Sequence, residues 1–206
     1  MKDWNLVDRN PVFSISKSKE SRGRTRFLSD EERTALLDTC ADADWKPLRA
    51  LVLLALATGA RRGELVGLKW TDVDLKVGRA TVHETKNGDP RVLPLVGKAL
   101  EALRELKLQN SAASEFIFAH PNGLPEAFYG FDSHWYDALQ AAKLTDFKFH
   151  DLRHSCASYL AAQGASLLKI ADVLGHRTMQ MVKRYSHLAS GRKTSVVEKM
   201  AKERDL

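Results

Sequence analysis

Cysteine is nearly absent from this chain: Cys40 and Cys156 are the two in 206 residues. Two thiols cannot build a disulfide framework, which excludes the bridge-stapled secreted classes and points to a reduced compartment. Both are expected to be buried as small apolar side chains. Long apolar runs are missing too. The longest, LVLLALA from Leu51 to Ala57, falls far short of the roughly 20 residues that span a bilayer. The opening MKDWNLVDRNPVF has no apolar stretch of the kind a secretory leader carries. No membrane partner and a cytoplasmic location are the expectations. Internal repeats and low-complexity tracts are lacking, and no cluster of carboxylates accompanies the histidines, which counts against a metal-dependent nuclease.

What is present is an ordinary globular composition, 44% apolar and 28% charged, enough for one domain of good size with an arm. Lys plus Arg number 32 against 26 Asp plus Glu, a net charge of +6. That excess suits a polyanion as partner without requiring one.

Residues 1–26 do not read as a packed domain. From Ser14 onward the basic residues Lys17, Lys19, Arg22, Arg24 and Arg26 face one acid, Glu20, with few apolar side chains to offset ordering entropy. The segment is either a solvated linker or an arm that tracks phosphates.

Regular structure is expected from Phe27. Ser29 with Glu32 forms a capping box for a helix to about Thr39. Pro47 opens a second helix, Leu48 to about Thr58, apolar almost all round and so central. The period then changes. Arg79–Thr85 reads as a strand, Asn87-Gly88 as a hairpin turn, and Asp89–Leu95 as an edge partner because of its two prolines. A helix over 97–109 presents Leu100, Leu103 and Leu106, and Phe116–Phe118 suits a third strand. Helices follow over Ser133–Ala142, His150–Gln163 and Leu167–Leu174, the last capped by Ser166 and stopped by Gly175. Another is expected from a Thr178 cap to about Tyr185, and a final amphipathic one over Arg192–Glu203. The fold class is mainly α with a small antiparallel sheet (α+β).

Three clusters carry possible chemistry. In TGARRGEL, Thr58–Leu65, Arg61 and Arg62 follow a Thr-Gly break at the end of the buried helix. A guanidinium fixed there suits paired phosphate oxygens, although an Arg–Glu pair at the surface is the plain alternative. In HDLRHSCASYL, His150 and Arg153 share a helix face, as do His150 and His154. A zinc pair is disfavoured, because Arg153 between the histidines opposes a cation. In LGHRTMQMVKRYSH, His176 follows a glycine stop, and Tyr185 lies nine residues on among Lys183, Arg184 and His187. Such a tyrosine is either an amphipathic surface residue or a nucleophile.

Taken together, these are tools for attacking a phosphodiester without a metal. At pH 7 about one free tyrosine in 10³ is ionised, so full deprotonation costs about 4 kcal/mol. A cationic pocket and a nearby base can offset that. Two guanidinium groups supply fixed donors where the phosphorane gathers charge, and Lys86 on the hairpin is a mobile acid for the leaving 5′-alkoxide.

With these motifs in this order, the chain resembles the catalytic domain of the tyrosine recombinases, the phage integrase family, from about Phe27 to Ala189. TGARRGEL is similar to the family's first arginine motif, TKNGDPRVLPL to its hairpin lysine, HDLRHS to its His-x-x-Arg box, and LGH with RYSH to its second histidine and nucleophile. The resemblance implies a catalytic set of Arg61, Lys86, His150, Arg153, His176 and Tyr185, with Tyr185 as nucleophile. It implies Arg61, Arg153 and His176 stabilising the transition state, Lys86 as general acid and His150 as base. Glu64 and Asp151 would orient Arg61 and the His150 region, and His154 would be structural.

The implied activity is site-specific strand exchange through a 3′-phosphotyrosyl link, using no cofactor, metal or ATP, for integration or excision of a bacterial or phage-borne element. The implied partner is double-stranded DNA, with a homotetramer on the duplexes and a monomer when isolated. Lys17, Lys19, Arg22, Arg24, Arg26, Arg62, Arg177, Lys183 and Arg184 are the expected DNA contacts. Residues 27–190 would be the catalytic domain and 191–206 a tail, docking either on its own domain or in trans. Residues 1–26 would be the linker from an N-terminal helical domain that family members carry, so this chain is expected to be the catalytic half. A type IB topoisomerase-like relaxase fits the same six positions, and a silent DNA-binding module is the remaining alternative.

Overall fold

The structure is a computed structural model and describes residues 26–83, 90–109, 114–176, 178, 182–186, 198 and 201–204. The entering chain is tied down at once. Leu28 is buried, its N–H donates to Ser155 Oγ (3.0 Å), and its carbonyl accepts from the Tyr159 hydroxyl (3.0 Å). Helix α1 (Asp30–Asp42) follows, with the expected box in place: Ser29 Oγ accepts from Glu32 N–H, and Glu32 Oε2 accepts from Ser29 N–H. It continues three residues beyond the expected end, because Cys40 packs into the core.

Helix α2 (Leu48–Thr58) has the predicted limits, and nine of its 11 residues are buried. It is the axis of the domain and packs against α1, α4 and α6. Each leucine sealed there contributes about 1.5–3 kcal/mol. Gly59 ends it with φ +60°, and its N–H satisfies the Ala55 carbonyl. A side chain there would be strained by the left-handed backbone and would run into Leu174 and Cys156.

The short helix α3 (Arg62–Val66) and a 3₁₀ turn at Trp70–Asp72 lead into the sheet. Its strands β1 (Val73–Asp74), β2 (Arg79–Val82) and β3 (Arg91–Pro94) lie antiparallel in the order β1-β2-β3. Thr81 faces Val92, and Val82 faces Arg91. β3 is an edge strand, in keeping with Pro94 within it and Pro90 just before it. The third strand is Val73–Asp74 and not Phe116–Phe118. Phe116 makes a lone bridge to Lys69, while Ile117 and Phe118 plug the core.

Helix α4 (Gly97–Gln109) buries Ala99, Ala102, Leu103 and Leu106, leaving Leu100 half-buried at the margin. Helix α5 (Asp132–Ala141) rests on α1. Helices α6 (Asp151–Ala162) and α7 (Leu167–Leu174) close the molecule, Ser166 capping α7 and Gly175 ending it at φ +63°. A second, smaller cluster joins them to the segment around Tyr185: Cys156, Ala157, Ile170, Leu174 and Val182 pack with its side chain. Burial raises both thiols, Cys40 to about 12 and Cys156 to about 11, as expected of inert core residues. Of the two later helices, a 3₁₀ turn at Lys183–Tyr185 and helical residues 201–204 lie inside the described residues.

Candidate active site

The first guanidinium is placed by its own turn. Arg61 precedes α3 in extended conformation, and Glu64, one turn on, accepts both its backbone N–H (2.9 Å) and its Nη1 (2.6 Å). Glu64 is buried, so its carboxylate is a rigid anchor, and Arg61 is half-buried at the edge of a cleft of about 700 Å3. Lys69, Thr81, His83 and Tyr129 line the same cleft. Charge-assisted bonds of this kind fix direction as well as position.

Arg153 comes from α6 and is only 4% exposed. Its Nη1 donates to the Gly59 carbonyl (2.6 Å), so the left-handed residue that ends α2 also seats the second arginine. Nη2 of Arg153 is buried without a hydrogen bond among the described residues. Burial first, then the charges of Arg61 and Arg91, push its pKa down to about 10. The guanidinium remains charged at neutral pH.

Tyr185 lies against the same helix. Its hydroxyl is in hydrogen-bond contact with Nδ1 of His154, the residue after Arg153, and the side chain is 2% exposed. Its ionised form would favour the charged Arg153. His150 stands exposed at the N-terminus of α6, its ring edge-on to that of His154 at 5.4 Å between centroids. Asp151 is buried, and Oδ2 accepts from Lys148 N–H (2.8 Å), fixing the turn that enters α6. His176 follows Gly175, and its N–H closes onto the Ala171 carbonyl (2.8 Å).

The structure therefore gathers Arg61, Glu64 and Arg153 around one centre, with α6 carrying His150 and the contact to Tyr185. Lys86 lies outside the described residues, as do Lys17, Lys19, Arg22, Arg24 and Arg177, and the side chain of Arg184. Lys183 is exposed. Arg26 and Arg62, expected from the sequence as DNA contacts, make contacts within the chain while staying partly exposed. Arg26 pairs with Glu32 (2.9 Å) and lies over Phe147. Arg62 forks onto Asp132 (2.7 and 3.0 Å) and covers the Phe131 ring at 4.4 Å.

Two residues of this centre were not assigned to it from the sequence. His154, expected to be structural, meets the Tyr185 hydroxyl, a contact across 31 positions that spacing does not disclose. Arg91 pairs with Glu64 (3.7 Å) and depresses Arg153. Its signal is present in RVLPL: alternation sets Arg91 on the inward face with Leu93 and Leu95, where a charge needs a partner.

The model of a family described as the phage integrase family matches residues 26–192. The chain belongs to that family. It is 35% identical over 187 residues to a shufflon-specific DNA recombinase of Escherichia coli, covering 90% of this chain and 46% of the relative. It is 30% identical over 201 residues to the integrase of Salmonella phage P22, covering 91% and 50%. This family member thus spans about half the length of those two relatives. Among solved structures it is similar to the catalytic domain of bacteriophage HP1 integrase, at 26% identity and a TM-score of 0.64, covering 84% of this chain and 93% of that one. A lambda integrase (75–356) dimer bound to a COC' core site also matches, at 26% identity and a TM-score of 0.64, over 81% and 63%.

Proposed function

We propose that this chain is the catalytic part of a site-specific DNA recombinase that cuts and rejoins strands through Tyr185, in the service of integrating or excising a mobile element. One observation carries the reading: the Tyr185 hydroxyl rests on α6 beside buried Arg153, in a field shared with Arg61 and Arg91. Guanidinium groups gathered in this way suit an anion such as a phosphate. The relatives are named as recombinases and integrases, which supports strand exchange over simple relaxation.

The chemistry balances without a metal or ATP. The Tyr185 oxygen forms a bond to phosphorus while the bond from phosphorus to the 5′-oxygen breaks. The phenolic proton leaves toward the His154–His150 pair, whose His154 Nδ1 is in hydrogen-bond contact with the hydroxyl. The 5′-alkoxide takes a proton from Lys86. Arg61, Arg153 and His176 take the extra charge of the phosphorane. Attack by the 5′-hydroxyl of a partner strand reverses each transfer. Because Tyr185 is 2% exposed, the Lys183–Tyr185 turn must first present the hydroxyl to the scissile phosphate.

Residues 27–190 act as the catalytic domain on double-stranded DNA. The basic segment 1–26, with Arg177, Lys183 and Arg184, follows phosphates, and the 191–206 tail joins neighbouring copies in a tetramer that dissociates to monomers without DNA. The test is metal-free incubation with nicked suicide duplexes of randomised sequence. A denaturant-stable protein–DNA adduct is expected, and its absence, or a need for a divalent cation, defeats the proposal.

A further inference from the structure

Arg91 is an enclosed cation that none of the steps above uses. It occupies an inward position of β3, with Val92 and Pro94 facing out and Leu93 buried, and its side chain is 14% exposed. An apolar side chain is the ordinary occupant of such a place. Burial lowers the pKa of Arg91, Glu64 opposes that shift, and Arg61 adds to it. A charge kept there at that cost needs contacts that an apolar residue could not make.

Those contacts join two parts of the site. Nη1 donates to the carbonyl of Leu174, the last residue of α7, where carbonyls lack helical partners and the helix end favours a cation. Nη2 stands 3.7 Å from Glu64 Oε2, the carboxylate that also holds Arg61. Gly175 passes so close that a Cβ would fall on Nη1 and lie 3.2 Å from Cδ. One planar guanidinium, hydrogen-bonded at Nη1 and ion-paired at Nη2 without a hydrogen bond among the described residues, thus lies between the Arg61–Glu64 pair and Leu174–Gly175, and the next residue is His176. A lysine ammonium offers no second rigid arm and can serve one end only.

We propose that Arg91 is a positioning residue for strand cleavage, clamping the turn that carries His176 onto the Arg61–Glu64 pair so that imidazole and guanidinium meet the same phosphate at a fixed spacing. The role rests on the recombinase reading for its chemistry and on the present geometry for the clamp. It also explains a glycine at 175 beyond its positive φ: the backbone must lie flat on the guanidinium.

The decisive experiment is a double-mutant cycle on the full 206-residue chain, reading the rate of adduct formation on the captured suicide duplex. Arg91→Ala is expected to slow it about tenfold or more in the parent, and less than about twofold once His176→Ala is present. Equal losses in both backgrounds, or no loss in the parent, overturn the clamp. Arg91→Lys, which keeps the charge and the strand, serves where alanine fails to fold, and is expected to recover less than half of the lost rate. A second readout needs no DNA: the His176 ring resonances and their response to inorganic phosphate. Arg91→Lys is expected to move those resonances and weaken the response, and unchanged resonances and response overturn the clamp. If the parent chain forms no adduct, the recombinase reading fails while this readout still decides the clamp.

Discussion

The Tyr185 hydroxyl is held by His154 Nδ1, and the ring behind it packs with Val182, Leu174 and Ile170. The side chain proposed to attack DNA is therefore sheltered before DNA arrives. Tetranitromethane is expected to nitrate Tyr129 and Tyr136, 52% and 64% exposed, well before Tyr185 at 2%. Peptide mass spectrometry reads the order, and early nitration of Tyr185 would contradict the sheltered position. Tyr185→Phe removes the buried hydrogen bond to His154 and should lower unfolding free energy by about 0.5–1.5 kcal/mol in urea.

Arg61, Arg91 and Arg153 share the field of one buried carboxylate, Glu64, among the described residues. An anion entering there relieves repulsion, so sulfate should raise the melting temperature by a few degrees through linkage, about 2.7 kcal/mol at a hundred times its Kd. The sign with pH is fixed by Arg153. Its pKa is lowered to about 10, so the burden of keeping it charged is present in full below that pH and lifts as pH rises through 10 toward the ordinary arginine value. Sulfate stabilisation should therefore stay level from neutral pH to near 9. Scanning calorimetry checks both, and a response unchanged in Arg153→Gln would refute the assignment.

Glu64→Gln leaves Arg61 and Arg91 without their shared counter-charge. Breaking a buried pair this way costs about 3–5 kcal/mol, less here because Arg61 is partly exposed. Stability without sulfate should fall, and the sulfate effect should grow. A smaller sulfate effect in urea titrations would show that Glu64 does not oppose the anion.

Gly59→Ala meets two obstacles. The left-handed backbone at φ +60° costs about 1–2 kcal/mol for a non-glycine residue, and the new Cβ overlaps Leu174 Cδ2. Because the Gly59 carbonyl seats Arg153, adduct yield should fall together with the melting temperature. A variant with parental stability and yield would remove Gly59 from the site's foundations.

Binding to duplex DNA by this chain is expected to be weak and to fall steeply with salt, since phosphate contacts release counterions. Fluorescence anisotropy across a salt series gives the slope of log affinity on log salt. A flat slope would contradict a phosphate-led interface.

Much of this architecture is legible in the sequence where forces are local. The Ser29–Glu32 box, the apolar run of α2 and the Ser166 and Gly175 limits of α7 are each set within a few residues. The sheet was legible as a hairpin but not in its third strand. Val73–Asp74 is two residues long, too short to show alternation, and pairs through a turn. Phe116–Phe118 has strand composition, but burial of Ile117 and Phe118 decided its role. Spacing singles out the residue types of the proposed site, whereas the contacts that connect them are not legible in it. His154 reaches Tyr185, and Arg91 reaches Leu174, across 31 and 83 positions, and such contacts exist only once α6, α7 and β3 have packed.

The claim that Tyr185 is the nucleophile of an arginine-lined phosphate site is tested most directly by locating the covalent bond. Adduct captured on the randomised suicide duplexes without divalent cation is digested with nuclease and protease, and the nucleotide-bearing peptide is sequenced by mass spectrometry. A 3′-nucleotide on Tyr185, lost in Tyr185→Phe and strongly reduced in Arg61→Ala and Arg153→Ala, is the expected result. A nucleotide on any other residue, or an adduct that persists in Tyr185→Phe, would contradict it.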